Sequence, residues 1–267
     1  MNKRRIFDVG SVCEFILFFT FNWTLETFAP IFQLCYNTAV MHTPFHDLSK
    51  FERFLWAISM LVIVVSFVLS GGGDWLSAIA SLIGVTALIF VAKGYVLGQV
   101  LTVVFAVFYG IISFYFGYYG EMLTYLCMTA PIAIAAIISW IRHPYEGTKE
   151  VVVGDLKPKA VAILFILALL TTFAFYWILK WFNTTNLIIS TLSVTTSFLA
   201  VGLTVLRSPY YALAYGANDI VLIVLWMLAT LENISYLPMV LCFVMFLAND
   251  LYGFYNWCRM RKGQRET

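Results

Sequence analysis

Eight long apolar stretches follow one another through most of this 267-residue chain and determine its surroundings. A helix needs about 20 mostly apolar residues to cross the hydrocarbon core of a bilayer. Charged residues make up only 11% of the sequence, against about 25% in soluble domains, which leaves too little polar surface for a water-soluble body. The sequence therefore predicts an all-α integral membrane protein with spans at roughly 53–71, 74–92, 95–117, 120–141, 159–180, 184–206, 209–230 and 234–257.

The first fifty residues depart from this pattern. Their apolar stretch is interrupted by Glu14, Asn22, Glu26 and Pro30, and it has no clear small-residue cleavage site of a signal peptide. We expect residues 1–50 to form an interfacial or partly embedded region, with a full span as the alternative.

The distribution of Lys and Arg predicts the orientation. Cytoplasmic loops of membrane proteins carry an excess of basic residues. When the eight spans alternate in direction, only Lys180 falls on one side, and twelve residues fall on the other: Lys50, Arg53, Lys93, Arg142, Lys149, Lys157, Lys159, Arg207, Arg259, Arg261, Lys262 and Arg265. We therefore expect a multi-pass protein of the cytoplasmic (inner) membrane with its C-terminus in the cytoplasm.

The last seven spans contain a weak repeat. An offset of 117 residues superposes Trp140 on Trp257, and it also aligns Arg142 with Arg259. Three helices per half, with one helix between them, give the halves a parallel orientation, as in SWEET-type transporters. The predicted divisions are an extra transmembrane helix at 51–73, a first three-helix repeat at 74–143, a loop and linker helix at 144–182, a second repeat at 183–259 and a tail at 260–267.

Three motifs spread over both halves resemble the PnuC vitamin transporters. They are YGEMLTYLCMTAP (119–131), NDIVLIVLW (218–226) and, most specifically, ANDLYGFYNW (248–257). The resemblance implies a 3+1+3 fold, a homotrimer and uptake of nicotinamide riboside by facilitated diffusion, with phosphorylation by a cytoplasmic kinase trapping the substrate. The sequence departs from the family pattern at Tyr125, near Ala133 and after Arg207. These changes leave thiamine, riboflavin or a deoxynucleoside open as the substrate.

Two Asn-Asp pairs interrupt apolar segments and predict an internal polar site. They are Asn218-Asp219, near the middle of one span, and Asn249-Asp250, nearer the end of another. An Asp at the centre of a membrane helix costs about 2.5–3.5 kcal/mol on insertion scales, so such residues face protein or a water-filled cavity. A structural hydrogen-bonded cluster between helices is the alternative interpretation.

Helical spacing places further polar residues on shared faces. Asn249 and Tyr252 lie three residues apart, and Gln99 lies three residues before Thr102, so each pair shares one face. A third stripe contains Asn186, Ser190, Ser193 and Ser197, with Thr196 adjacent. If the three faces converge, they can line one central chamber, although single stripes of this kind are more often packing surfaces.

The predicted ligand groups follow from their chemistry. Amides donate and accept hydrogen bonds, which suits ribose hydroxyls and a carboxamide, and aromatic rings stabilise a cationic ring by about 0.5–2 kcal/mol. The predicted substrate-binding residues are Gln99, Thr196, Asn218, Trp226, Asn249 and Tyr252. Residues predicted to be structural or to act in gating are Glu121, Asp219, Asp250 and Trp257.

Other functions have less support from the sequence. It contains no common catalytic motif. His42 and His46 share a helical spacing, but Pro44 lies between them and opposes a helix. We expect no catalytic residues, metal, cofactor or nucleic-acid partner. The alternatives are a seven-helix receptor or scaffold, a channel, and an intramembrane enzyme using Asp219 and Asp250 as paired carboxylates.

Overall fold

A computed structural model describes residues 44–71, 75–115, 118–184, 186–232 and 234–266. Most of the predicted interfacial region at 1–50, including His42, lies outside these residues; Pro44–Asp47 forms a short 3-10 turn. Among the described residues, eight helices are long and apolar enough to cross a membrane. We number them α1 (Lys50–Leu69), α2 (Trp75–Ala92), α3 (Val96–Tyr115), α4 (Tyr119–Ile141), α5 (Pro158–Trp181), α6 (Leu187–Val205), α7 (Tyr210–Glu232) and α8 (Leu237–Glu266). The eight predicted spans are confirmed to within a few residues, except that α8 continues past the predicted end at 257.

Six helices pack in a closed ring. α2 contacts α3, α3 contacts α4, α4 contacts α6, α6 contacts α7, α7 contacts α8, and α8 returns to α2. α1 packs on α2 and α8, whereas α5 packs chiefly on α6. α5 is the least buried of the eight helices, and it exposes Phe165, Phe173 and Trp177. In a bilayer these side chains suit contact with acyl chains.

Local sequence signals explain how two of the helices begin and bend. α1 starts with a capping box, in which the Glu52 backbone N–H donates to the Ser49 hydroxyl and the Ser49 N–H donates to the Glu52 carboxylate. In α4, residues Thr124–Thr129 form a wider π-helical turn directly before Pro131. Proline lacks the N–H that an α-helix needs, and a π turn accommodates that loss within a continuous span.

Two contacts join side chains that are 117 residues apart. The Trp226 indole N–H on α7 donates to the Tyr109 hydroxyl on α3 at 2.9 Å. The rings of Trp140 on α4 and Trp257 on α8 lie 5.4 Å apart. Equivalent positions of the predicted repeat therefore meet at two places in the ring.

The segment between α4 and α5 packs against the turn after α2 and against the end of α8. The Val151 N–H donates to the Gly94 carbonyl at 3.0 Å. Gln264 accepts from the Val153 N–H at 2.8 Å and donates to the Val151 carbonyl at 3.1 Å. These contacts explain why α8 extends beyond its apolar part.

Candidate functional site

Asn218, near the middle of α7, lies at the centre of a buried polar cluster. Its Oδ1 accepts hydrogen bonds from the hydroxyls of Thr196 at 2.8 Å, Ser197 at 3.0 Å and Ser193 at 3.4 Å, all on α6. The Tyr125 hydroxyl on α4 also hydrogen-bonds the Asn218 side chain. The structure thus brings together two predicted site residues, Asn218 and Thr196.

Glu121, in the first turn of α4, completes this cluster. Its Oε2 lies 3.5 Å from the Ser193 hydroxyl, whose single proton can be donated either to Glu121 or to Asn218. Its Oε1 is buried and has no hydrogen-bond partner among the described residues. We call the set Glu121, Tyr125, Ser193, Thr196, Ser197 and Asn218 the central polar cluster.

Aromatic rings adjoin the central polar cluster. The Tyr109 and Tyr125 rings lie 4.4 Å apart, and the Tyr118 ring meets the predicted site residue Trp226 edge-on at 5.0 Å. Trp226 is fully buried and hydrogen-bonded to Tyr109. Contact between a ligand and the Trp226 ring face therefore requires rearrangement of the surrounding rings.

Asp219 and Asp250 face each other across the contact between α7 and α8. Their side chains interact with one another, and Oδ2 of Asp219 has no hydrogen-bond partner in the described part of the chain. An ionised carboxylate has no donor, so a hydrogen bond between the two carboxyl groups requires one proton for the pair. The pairing matches both the structural interpretation of these residues and the paired carboxylates of the enzyme alternative.

Asn249 and Tyr252 lie elsewhere, which corrects the expectation of three converging faces. The Asn249 amide donates to the Ser59 hydroxyl on α1 at 3.0 Å. The Tyr252 hydroxyl donates to Glu52, also on α1, at 2.7 Å. This face of α8 packs on α1, because α8 turns Asp250 rather than Asn249 toward α7. Substrate binding by Asn249 and Tyr252 stays a prediction.

Gln99 and Trp257 also lie apart from the central polar cluster. Gln99 is buried near the start of α3, ten residues before Tyr109, which is about 15 Å along a helix axis. Trp257 is fully buried, and its indole donates to the Val91 carbonyl at 2.9 Å. This contact fits the predicted structural role of Trp257, whereas substrate binding by Gln99 stays a prediction.

Two residues beside or within the central polar cluster, Tyr109 and Tyr125, are not among the predicted substrate-binding residues. Tyr109 stands 117 residues before Trp226, so the repeat offset was an available signal. Tyr125 lies within the π turn of α4, which brings its hydroxyl to Asn218. A π turn changes which residues share a face, so ordinary helical spacing does not reveal this position.

Apolar helices packed in a ring, with a polar and aromatic cluster buried among them, define a multi-pass membrane protein with an internal site. This class includes carriers whose substrate sites lie at repeat interfaces near the bilayer midplane. Comparisons with known proteins specify the class further.

Residues 74–259 match the family model described as nicotinamide mononucleotide transporter. The chain is 27% identical over 217 residues to the nicotinamide riboside transporter PnuC of Neisseria mucosa, covering 78% of this chain and 81% of the relative. It is 24% identical to the Haemophilus influenzae protein of the same name, covering 71% and 81% respectively. A crystal structure described as the vitamin B3 transporter PnuC shares the fold, with a TM-score of 0.71 and 24% identity over 81% of this chain and 94% of that one.

The chain belongs to the PnuC family of membrane transporters. It is accordingly a transporter of a small molecule and not an enzyme, and the Asp219–Asp250 pair carries no catalytic assignment.

Proposed function

We propose that this transporter carries nicotinamide riboside into the cell and binds it at the central polar cluster. The observation that carries the proposal is Asn218, whose buried amide is surrounded by three hydroxyl groups of α6 and by Tyr125. Amide and hydroxyl groups both donate and accept, which matches a ribose and a carboxamide. The names of the relatives support the same substrate.

In this proposal Asn218 and Thr196 hold the polar groups of the substrate, and Trp226 contacts its ring. Gln99, Asn249 and Tyr252 have neighbours elsewhere in the fold, so the proposed binding mode departs from the prediction from sequence and includes no direct contact with them. Tyr109 acts through Trp226 by accepting its indole N–H. The ring of the substrate replaces part of the aromatic packing around Trp226.

We further propose that the fold is a 3+1+3 arrangement of two parallel repeats. α2–α4 and α6–α8 form the repeats, α5 is the linker, and α1 is an additional helix. The contacts Tyr109–Trp226 and Trp140–Trp257 support this division, because positions 117 residues apart meet only near an axis relating the two halves. α5 is the least buried helix and packs chiefly on α6, which suits a linker between the two repeats.

Alternating access then follows from movement of the two halves. Three contacts join them at the central polar cluster: Tyr109 with Trp226, Tyr125 with Asn218, and Glu121 with Ser193. All three involve groups that a substrate can contact instead. Binding in the cluster can therefore exchange contacts between the halves for contacts with the substrate.

The proposed transport is facilitated diffusion, with phosphorylation by a cytoplasmic kinase trapping the product. Asp219 and Asp250 interact with each other in the contact between α7 and α8, which suits a structural role better than ion coupling. The basic loops support a location in the inner membrane with a cytoplasmic C-terminus. A homotrimer is the assembly that the family resemblance implies.

Uptake of radiolabelled nicotinamide riboside into proteoliposomes tests this function. We expect saturable uptake that needs no ion gradient and shows counterflow, because a carrier exchanges bound solute and an open pore does not. Thiamine, riboflavin and deoxynucleosides serve as competitors. Absence of uptake, or stronger inhibition by another compound, contradicts the substrate; loss of counterflow favours a channel.

A further inference from the structure

The carboxylate of Glu121 is an unusual feature of the central polar cluster. The residue is 1% exposed, and its Oε1 has no partner among the described residues. Among the described residues the donor to its Oε2 is the Ser193 hydroxyl at 3.5 Å, which also lies 3.4 Å from Asn218 Oδ1. A buried carboxylate with so little compensation is costly unless another group neutralises it.

The surroundings of Glu121 supply no positive charge. Its electrostatic neighbours are the hydroxyls of Tyr109, Tyr118 and Tyr125, and no Lys or Arg contributes in the described part of the chain. The ion pairs described in the structure lie elsewhere: Lys93 with Glu52, Lys262 with Glu266 and Arg265 with Asp155. The site therefore offers aromatic rings and a carboxyl group whose ionised form would gain most from a bound cation.

We propose that Glu121 is the counter-charge for a permanently cationic ring in the substrate and makes the site select cationic over neutral ligands of the same shape. The proposal rests on the proposed function, since it places the pyridinium of nicotinamide riboside beside Glu121. The nearby aromatic rings favour the same cation through their negative faces. Asn218 and the α6 hydroxyls recognise polar groups but do not distinguish charge.

The test compares two ligands that differ by one hydride. Dihydronicotinamide riboside keeps the ribose and carboxamide of nicotinamide riboside but has a neutral ring. Binding of each ligand is measured by calorimetry on the full-length protein in detergent. Wild type is expected to bind the cationic form at least about tenfold more tightly, as expected for a buried charge pair.

Glu121→Gln keeps the shape of the side chain and removes its charge. The substitution is expected to lower the affinity for nicotinamide riboside by at least about tenfold and to change the affinity for the neutral ligand by less than about threefold. Glu146→Gln, at an exposed position between α4 and α5, is the matched control and is expected to change neither affinity. Gel filtration and thermal unfolding establish that each variant is folded.

The possible failures are distinguishable. Equal wild-type affinity for the two ligands overturns the role of Glu121, even if the Gln variant does not fold. An equal loss for both ligands in Glu121→Gln also overturns it, because that result indicates hydroxyl recognition or a structural role. If wild type prefers riboflavin or a deoxynucleoside, the substrate proposal fails and the charge selection fails with it.

Discussion

The indole rings of Trp140 and Trp257 lie 5.4 Å apart, and each donates its N–H to a helix of the opposite half. Trp140 on α4 donates to the Thr204 carbonyl at the end of α6, at 3.0 Å. Trp257 on α8 donates to the Val91 carbonyl at the end of α2, at 2.9 Å. The last helix of each proposed repeat thus satisfies a carbonyl in the last turn of the first helix of the other repeat.

These two reciprocal hydrogen bonds predict that substitutions of Trp140 and of Trp257 lower stability by similar amounts. Trp140→Phe and Trp257→Phe each remove one buried indole donor, and each is expected to lower stability by about 1–3 kcal/mol. Thermal unfolding in detergent measures the change. Trp181→Phe, at the exposed end of α5, is the control and is expected to leave the unfolding temperature unchanged. A large effect at only one of the paired positions contradicts the reciprocal arrangement.

At the Asp219–Asp250 pair, we expect substitution of either residue by Asn to be tolerated and substitution by Ala to be destabilising. Asp219→Asn or Asp250→Asn supplies a permanent donor in place of the shared proton, so stability is expected to change by less than about 1 kcal/mol. Asp219→Ala leaves Asp250 buried without its partner and is expected to cost about 2 kcal/mol or more. Unfolding measurements separate the two results.

The same variants test facilitated diffusion. Uptake by Asp219→Asn and Asp250→Asn is expected to match that of wild type, with or without a pH gradient. A folded Asn variant that binds substrate but no longer transports it indicates that the pair exchanges protons during the cycle.

The attachment of α1 depends on a buried ion pair. Glu52 on α1 is 1% exposed and lies 3.3 Å from the Lys93 amine after α2, and it also accepts from Tyr252. Lys93→Met removes the cation, while the Ser49 N–H and the Tyr252 hydroxyl still donate to Glu52, and it is expected to cost about 1–3 kcal/mol. Adding Glu52→Gln to that variant is expected to restore part of the loss. A double-mutant cycle by thermal unfolding measures the coupling, and additive effects contradict the pair.

Hydropathy predicted the helices well because each span must satisfy its backbone within itself and face lipid. It also singled out Asn218, since an amide in the middle of an apolar helix needs protein around it. The eight spans and the buried position of Asn218 can therefore be predicted from the cost of placing polar groups in hydrocarbon.

Asn249, Tyr252 and Tyr125 show what helical spacing leaves undetermined. The spacing of Asn249 and Tyr252 correctly predicted a shared face, but spacing does not state which helix that face meets. Here α1, which the sequence analysis left outside the core, supplies Ser59 and Glu52. The contact of Tyr125 with Asn218 depends on the π turn at Thr124–Thr129, and the spacing of residues in the sequence does not reveal that turn.

The most direct test of the account compares Asn218→Ala with Asn249→Ala, because the two amides are similar in burial and differ in neighbours. Nicotinamide riboside binding to each purified variant is measured by calorimetry, and thermal unfolding is measured alongside. We expect Asn218→Ala to weaken binding by at least about tenfold, a loss of about 1.4 kcal/mol. We expect Asn249→Ala to keep its affinity and unfold at a lower temperature, since it loses hydrogen bonds to Ser59 on α1 and to the Met245 carbonyl within α8. Wild-type affinity in Asn218→Ala, or lost affinity in a stable Asn249→Ala, would contradict a binding site at the central polar cluster.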